Sequence, residues 1–92
     1  MLKLRYTHQF KKDFKKAKKR GLPMEELKIV LEILASGNPL PPSYRDHSLL
    51  GEYASFRECH IRPDWLLIYR IHEEVMELIA QRTGSHSDLF DE

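Results

Sequence analysis

The sequence predicts an α+β fold in which two N-terminal helices pack on one face of a mainly antiparallel sheet of four to five strands. Two observations predict this fold. A short alternating strand is followed by two segments whose apolar residues recur at helical spacing, and a proline-rich loop is followed by short strands separated by turns. The resulting order is β-α-α-β-β-β-β, and the second face of such a sheet is free to present side chains to a ligand.

The first part of the chain is predicted to form one strand and two helices. Alternation over residues 2–6 is typical of a half-buried strand. Thr7 suits the N-cap of a helix that ends at Gly21, because glycine tolerates the left-handed conformation found there. A second helix is expected between Pro23 and Gly37. Its expected buried face consists of Leu27, Val30, Leu31 and Leu34.

The second part of the chain is predicted to form the rest of the sheet. Residues 37–46 hold several prolines and other turn formers and are expected to be a loop, too short to separate two domains. Residues 1–92 are therefore expected to form a single domain. The predicted strands cover residues 47–50, 55–61, 65–71 and 75–82. Gly84 is expected to end the last strand, and residues 85–90 to form one helical turn.

Composition is that of an ordinary globular domain, with 41% hydrophobic and 32% charged residues. The longest apolar runs, such as Trp65–Tyr69, are far shorter than a membrane span. The N-terminal residues show no apolar signal region, and the single cysteine, Cys59, can form neither an intramolecular disulfide nor a zinc site of several thiolates. A cytoplasmic location is therefore expected.

Positive charge is concentrated at the N-terminus. Residues 1–20 hold nine basic residues and one acid, Asp13, whereas residues 21–92 hold six basic and thirteen acidic residues. A basic helix of this kind can contact a phosphate backbone, but lysines also cover the solvated faces of many helices. Charge alone leaves both interpretations open.

Three of the five histidines lie where predicted strands end or turn: His47, His60 and His86. Histidine titrates near neutral pH, so rings that converge on one surface can share acid–base chemistry, although each alone is also explained as a surface residue. Asp64, after Pro63, is either a turn residue or a carboxylate that orients a histidine.

Arg82, at the end of a predicted strand, can hold a phosphate through two parallel hydrogen bonds or pair with a carboxylate. His60, Asp64 and His86 also carry atoms that bind metals, but their spacing fits no known metal motif, and we expect no metal. Cys59 is out of phase with His60 on one strand and is predicted to lie in the core.

Three segments together carry a family resemblance: D-H-S-L-L-G at 46–51, F-R-E-C-H-I-R-P-D-W-L-L-I-Y at 56–69 and R-T-G-S-H-S-D-L-F at 82–90. In this order and spacing they resemble the YafQ branch of the RelE/ParE toxins. The basic first helix and the proline-rich loop fit as well, so the resemblance extends over nearly the whole chain.

The resemblance implies the toxin component of a toxin–antitoxin pair, whose cognate antitoxin blocks it. Toxins of this branch are mRNA interferases that enter the ribosomal A site and cut messenger RNA without a metal ion. The ribose 2′-OH attacks the adjacent phosphate, which leaves a 2′,3′-cyclic phosphate and a free 5′-OH.

The resemblance also implies site residues. The catalytic set is His47, His60, Asp64, Arg82 and His86. His86 would be the general acid, Arg82 the phosphate clamp, and either Asp64 or His47 the base, while His60 would position substrate or tune its neighbours. The residues that would bind substrate or ribosomal RNA are Lys11, Lys12, Lys15, Lys16, Lys19, Trp65 and Phe90. For Trp65, a place in the core is the favoured interpretation.

Two alternatives share the fold. ParE-like toxins inhibit DNA gyrase by binding, and a catalytically inactive relative would bind RNA without cutting it. Three histidines with an arginine are not needed by a toxin that only binds. Geometry separates the hypotheses, since a nuclease requires His47, His60, His86 and Arg82 to meet in one cleft.

Overall fold

Five strands form one sheet in the computed structural model, which describes residues 1–90. The strands are β1 (Lys3–Tyr6), β2 (His47–Ser48), β3 (Arg57–Arg62), β4 (Trp65–His72) and β5 (Glu77–Gly84). Their order across the sheet is β1-β5-β4-β3-β2, and β1 is parallel to β5 while the other pairs are antiparallel. The predicted α+β fold with a mainly antiparallel sheet is confirmed, with five strands.

Within the described residues, three α-helices accompany the sheet: α1 (His8–Lys19), α2 (Met24–Ala35) and α3 (His86–Phe90). The predicted cap of α1 is confirmed, since the Thr7 hydroxyl accepts a hydrogen bond of 2.9 Å from the backbone N–H of Phe10. Gly21 follows α1 with a φ of +78°, the left-handed conformation expected of it. Within residues 1–90, no helix is long and apolar enough to cross a membrane.

Two strand predictions were wrong at their ends. The strand expected at 47–50 is only two residues long, because the chain leaves the sheet and forms a short 3-10 turn at Gly51–Tyr53. The strand expected at 75–82 starts at Glu77 instead, because Glu73–Val75 forms another 3-10 turn. Left-handed turn residues such as Met76, with a φ of 54°, are hard to recognise from sequence when they are not glycine.

The main core lies between the two long helices and one face of the sheet. Helix residues Phe10, Leu27 and Val30 pack there against strand residues that include Leu67 and Tyr69. Cys59 and Trp65 also lie in this core. Burial raises the pKa of the Cys59 thiol well above its usual value. The predicted place of Cys59 in the core is confirmed.

The opposite face of the sheet carries the predicted histidines. Residues directly opposite each other in an antiparallel pair share a face, and His60 is opposite Leu66, Glu58 opposite Ile68, and His47 opposite Glu58. We call this the histidine face. The small helix α3 covers its centre, where Leu89 packs on Leu66 and Ile68.

A β-bulge places Arg82 on the histidine face. Ile68 is opposite Arg82 but Tyr69 is opposite Ala80, so Gln81 is an extra residue in β5. Strict alternation from Ala80 would have turned Arg82 toward the long helices. The extra residue reverses this and puts Arg82 on the same face as Ile68.

A carboxylate from α1 accepts a backbone hydrogen bond at the free edge of β5. The pairing of β1 ends at Ala80, so the backbone beyond it has no strand on that side. Asp13, only 8% exposed, accepts the backbone N–H of Thr83 at 3.2 Å and the Arg82 guanidinium at 2.7 and 3.2 Å. The hydrogen bonds that Arg82 donates to Asp13 raise the pKa of Arg82, which therefore stays charged.

We predict that Asp13→Ala lowers the free energy of unfolding by about 3 kcal/mol, since it leaves a buried N–H and a charge without their partner. Urea denaturation followed by circular dichroism measures this change. Lys12→Ala, at the exposed neighbouring position, is the control and should change stability by less than about 0.5 kcal/mol. Equal stability of the two variants would contradict the assigned role of Asp13.

Candidate active site

The structure brings His47, His60 and His86 together on the histidine face. The ring centroids of His47 and His60 are 6.3 Å apart, and those of His60 and His86 are 5.8 Å apart. The three rings come from β2, β3 and the first residue of α3, so they meet only when the sheet and the C-terminal helix assemble. His60 is the central ring.

Backbone carbonyls orient His47 and His60. The Nδ1 atom of His47 lies 2.7 Å from the carbonyl oxygen of Arg45, and that of His60 lies 3.2 Å from the carbonyl oxygen of Pro63. A carbonyl oxygen only accepts hydrogen bonds, so these contacts require a proton on each Nδ1. The Nε2 atom of each ring is then the nitrogen that exchanges protons with other groups.

Glu58 is a member of the site that the sequence analysis did not identify. One of its oxygens, Oε1, lies 3.4 Å from Nε2 of His47 and 3.6 Å from Nε2 of His60, and the residue is 5% exposed. A buried carboxylate between two imidazoles can accept a hydrogen bond from either ring when that ring is protonated. Alternation could have revealed it, because Glu58 and His60 are two residues apart on one strand.

Asp64 holds His86 from two directions. One carboxylate oxygen accepts the backbone N–H of His86 at 3.0 Å and its ring Nδ1 at 2.7 Å. These hydrogen bonds lower the pKa of Asp64, and the one from the backbone has the larger effect. Asp64 is therefore ionised at neutral pH. The arrangement orients the imidazole and leaves Nε2 as its second, uncommitted nitrogen.

Helix α3 is tied to the basic helix α1 through Asp88. Its carboxylate accepts the backbone N–H of Ser85 at 3.0 Å, and the Ser85 hydroxyl accepts the backbone N–H of Asp88 at 3.1 Å, as in a capping box. Arg20 and Lys16 pair with the same carboxylate at 2.6 and 3.2 Å. The hydrogen bond from Arg20 is the main reason why the pKa of Asp88 lies far below its usual value.

Arg82 shares the histidine face by its register opposite Ile68. Its side chain lies in a small cavity beside α1, lined also by Asp13, Lys16 and Asp88. The Tyr53 ring is 6.3 Å from that of Phe90, which is 6.5 Å from the ring of His86. The structure therefore brings the three histidines together, whereas within residues 1–90 no contact joins Arg82 to any of their rings.

The residues predicted to bind substrate lie in different environments: some are accessible at the surface and one is in the core. Phe90 lies beside His86, and all five predicted lysines are exposed on α1. Lys16 is paired with Asp88. The assignment of Trp65 to substrate binding was wrong, because the residue is 2% exposed on the opposite face of the sheet. Its indole donates a 3.0 Å hydrogen bond to the Thr83 hydroxyl. It belongs to the core, as the favoured interpretation of the sequence held.

Comparison with known proteins decides the family. The model of the YafQ family, a bacterial toxin of type II toxin–antitoxin systems, matches residues 2–91. The chain belongs to the YafQ toxin family. It is 39% identical over 88 residues to the mRNA interferase toxin YafQ of Escherichia coli K12, which covers 95% of this chain and 94% of that protein.

Solved YafQ-family structures share the fold. A metal-bound toxin from Helicobacter pylori is 43% identical, with a TM-score of 0.93 over 98% of this chain and 100% of that one. YafQ in the E. coli DinJ–YafQ complex is 38% identical, with a TM-score of 0.89 over 98% of this chain and 99% of that one. The resemblance found in the sequence is confirmed.

The H. pylori toxin is metal-bound, so the metal ligands available in this YafQ-family chain are of interest. Among residues 1–90, no three His, Cys, Asp or Glu side chains are grouped closely enough to hold a metal ion. The contacts at the histidines are imidazoles bonded to carbonyl or carboxylate oxygens. In this arrangement the described residues form no cluster of metal ligands.

We predict that Asp88→Asn destabilises the toxin by about 1 kcal/mol at pH 7, the usual cost of weakening a helix cap. The folded-state pKa of Asp88 is depressed, so its contribution is present above the unfolded pKa of about 3.9 and is lost as the pH falls below it. Urea denaturation at pH 7 and pH 3 should therefore show a difference between wild type and variant that shrinks at pH 3. Glu74→Gln, an exposed acid in the turn before β5, is the control. A difference that persists unchanged at pH 3 would contradict this explanation.

Proposed function

We propose that this toxin is a ribosome-dependent endoribonuclease of the cytoplasm that cleaves messenger RNA. Its E. coli relative has the name mRNA interferase toxin. The observation that carries the proposal for this chain is the row of three imidazoles whose Nδ1 atoms each bond an oxygen, 6.3 and 5.8 Å apart by ring centroids. A ParE-like toxin that acts by binding alone has no use for such a row.

The proposed reaction is an internal transesterification. The 2′-oxygen of one ribose forms a bond to the adjacent phosphorus, and the bond from phosphorus to the 5′-oxygen breaks. A base accepts the proton of the 2′-OH, and an acid donates a proton to the leaving 5′-oxygen. The products carry a 2′,3′-cyclic phosphate and a 5′-OH, and no metal ion is needed for the proton transfers.

His86 is the proposed general acid. Its Nδ1 is bonded to Asp64, so a proton on Nε2 is the one that can be delivered to the leaving oxygen. Asp64 already accepts two hydrogen bonds and its pKa is lowered, which makes it a poor acceptor for a further proton. Of the two bases that the sequence left open, we therefore favour His47.

His60 and Arg82 have supporting roles in this proposal. His60 lies between the other two rings and shares Glu58 with His47, which suits it to position the ribose. Arg82 uses Nε and Nη2 to bind Asp13, and within residues 1–90 its Nη1 has no hydrogen-bond partner. We therefore propose that it meets the scissile phosphate through Nη1, and not through the two parallel bonds that the sequence suggested.

The test of this proposal is cleavage of messenger RNA on programmed ribosomes, with cuts mapped by primer extension. We predict that His86→Ala lowers the single-turnover rate by about 100- to 10,000-fold, the usual contribution of a general acid. The wild-type 3′ fragment should accept a phosphate from polynucleotide kinase directly, because its 5′ end is a hydroxyl.

His72→Ala is the matched control, since His72 lies at the far end of β4, away from the three rings. It should cut like the wild type. Equal cutting by His86→Ala would assign the acid to another residue, and absence of cutting by the wild type would overturn the nuclease proposal.

The basic helix α1 is proposed to contact ribosomal RNA. Lys11, Lys12, Lys15 and Lys19 are exposed and make no ion pair with other residues in the 1–90 range. Lys16 and Arg20 are engaged with Asp88. The proposal therefore rests on the first four lysines more than on Lys16.

We predict that replacing Lys11, Lys12 and Lys15 by Gln weakens ribosome binding and lowers the slope of log affinity against log salt by up to about three, one unit for each lost phosphate contact. Sedimentation at several salt concentrations measures the slope. The control replaces Lys3, Arg5 and Lys28, which removes the same charge elsewhere. An equal loss in both triple variants would show a general charge effect and contradict a contact through α1.

A cognate antitoxin is the proposed protein partner, as DinJ is in complex with E. coli YafQ. A groove of about 840 Å³ between α1, α2 and β1 supports this proposal. Its apolar lining includes Tyr6, 45% exposed, and Phe14, 37% exposed. Four lysines and two glutamates also line the groove, and exposed aromatic residues with this excess of positive charge suit an amphipathic, acidic protein segment.

A further inference from the structure

A continuous row of aromatic rings extends from the histidines along the histidine face. Neighbouring centroids are between 5.8 and 6.5 Å apart throughout. The rings, in order, are His47, His60, His86, Phe90, Tyr53 and Phe56. The row ends at Arg70, whose guanidinium carbon lies 5.8 Å from the centre of the Phe56 ring. Neither Tyr53 nor Arg70 has a part in the reaction proposed above.

Arg70 is a charged group that has no charged partner in the part of the chain that the structure describes. It makes no ion pair or hydrogen bond with residues 1–90, and its Nε atom is buried without a partner there. It lies on β4 opposite Ile79, two residues beyond Ile68, and therefore on the histidine face. An unpaired guanidinium beside an aromatic ring is suited to an anion that arrives with the ligand.

Tyr53 offers an aromatic surface between Arg70 and the reaction centre. It belongs to the 3-10 turn that leaves the sheet, it is half-buried, and its neighbours Glu52 and Ala54 are exposed. Its ring plane is inclined by 73° to that of Phe56 and by 89° to that of Phe90. Neither neighbour stacks in parallel on it, so no parallel ring occupies the place that a nucleobase would take.

The spacing along β4 suits consecutive phosphates. Arg82 stands opposite Ile68 on the neighbouring strand, and Arg70 lies two residues beyond Ile68 along β4. About 7 Å along the strand and about 5 Å between strands separate the Cα atoms of the two arginines by about 8 Å, a gap that their long side chains can adjust. A strand whose scissile phosphate meets Arg82 can therefore reach Arg70 with a neighbouring phosphate, while the base between them lies near Tyr53. Base stacking on an aromatic ring combined with phosphate contacts is the common way to bind single-stranded RNA.

We propose that Tyr53 and Arg70 form a binding subsite for one nucleotide that flanks the cut. The base stacks on Tyr53 and its phosphate pairs with Arg70. This inference rests on the proposed function, because it names where the substrate of that reaction lies beyond the scissile bond. Stacking accepts any base, so the subsite contributes affinity and alignment more than sequence preference.

The test pairs protein variants with altered messengers on programmed ribosomes. Single nucleotides on either side of the cut are made abasic one at a time, and single-turnover cleavage is measured. At one flanking position, the lost base should slow the wild type about 10- to 100-fold, the value of one stacked base. Tyr53→Leu keeps apolar packing but lacks the aromatic ring, so its cleavage rate on the intact messenger should be lower than that of the wild type by a similar factor. Removal of the base should then lower the cleavage rate of Tyr53→Leu only slightly further.

Arg70→Gln should lower the affinity for the programmed ribosome and reduce its salt dependence, while the position of the cut stays the same. Arg5→Gln, which removes an equal charge at the β1 edge, is the control and should behave like the wild type. Urea denaturation of each variant shows whether it is folded under assay conditions.

The outcomes separate the two proposals. Suppose that the wild type cuts, but an abasic position lowers the cleavage rate of Tyr53→Leu by the same factor as that of the wild type. The base is then not bound at Tyr53, and the subsite is overturned. If Arg70→Gln matches Arg5→Gln, the phosphate contact is overturned. If the wild type does not cut at all, the nuclease proposal fails and the subsite falls with it.

Discussion

The ion pair between Asp13 and Arg82 is the contact that holds the end of β5, from which Arg82 and Thr83 extend. A single carboxylate from the basic helix replaces the strand that β5 lacks beyond Ala80, binding both a backbone N–H and a guanidinium. The hydroxyl of Thr83, whose backbone N–H is bonded to Asp13, also accepts a hydrogen bond from the indole of Trp65. The position of the proposed phosphate-binding group and the integrity of the core are thereby coupled.

The histidines are positioned by local contacts of different kinds. His47 and His60 are held by carbonyl oxygens a few residues away in the chain, so their orientation follows from the turns in which they lie. His86 depends on Asp64, 22 residues earlier, and on the helix that Asp88 ties to α1. The proposed general acid is therefore the ring whose place relies most on long-range charge pairs.

Much of this was predictable from the sequence, because alternation, caps and turn residues act over short distances. The two long helices, the sheet and the gathering of the histidines follow from such patterns together with the family motifs. The face of Arg82 was not predictable, since one extra residue, Gln81, reverses the alternation. Asp13 and Asp88 were also missed, because their partners lie 69 and 68 residues away in the chain. Glu58 could have been predicted, because the strand alternation that places His60 on one face of the sheet places Glu58 on the same face.

The groove between α1, α2 and β1 lies on the helix side of the sheet, whereas the histidines lie on the other side. A short peptide seated in that groove leaves the catalytic rings open to solvent. It covers Lys11 and Lys15, which line the groove and belong to the lysines proposed to contact ribosomal RNA, so it would compete with the ribosome for these charges. Neutralisation through the groove is thus a matter of access, and a toxin silenced in this way keeps an intact catalytic centre that is restored as soon as the peptide is degraded.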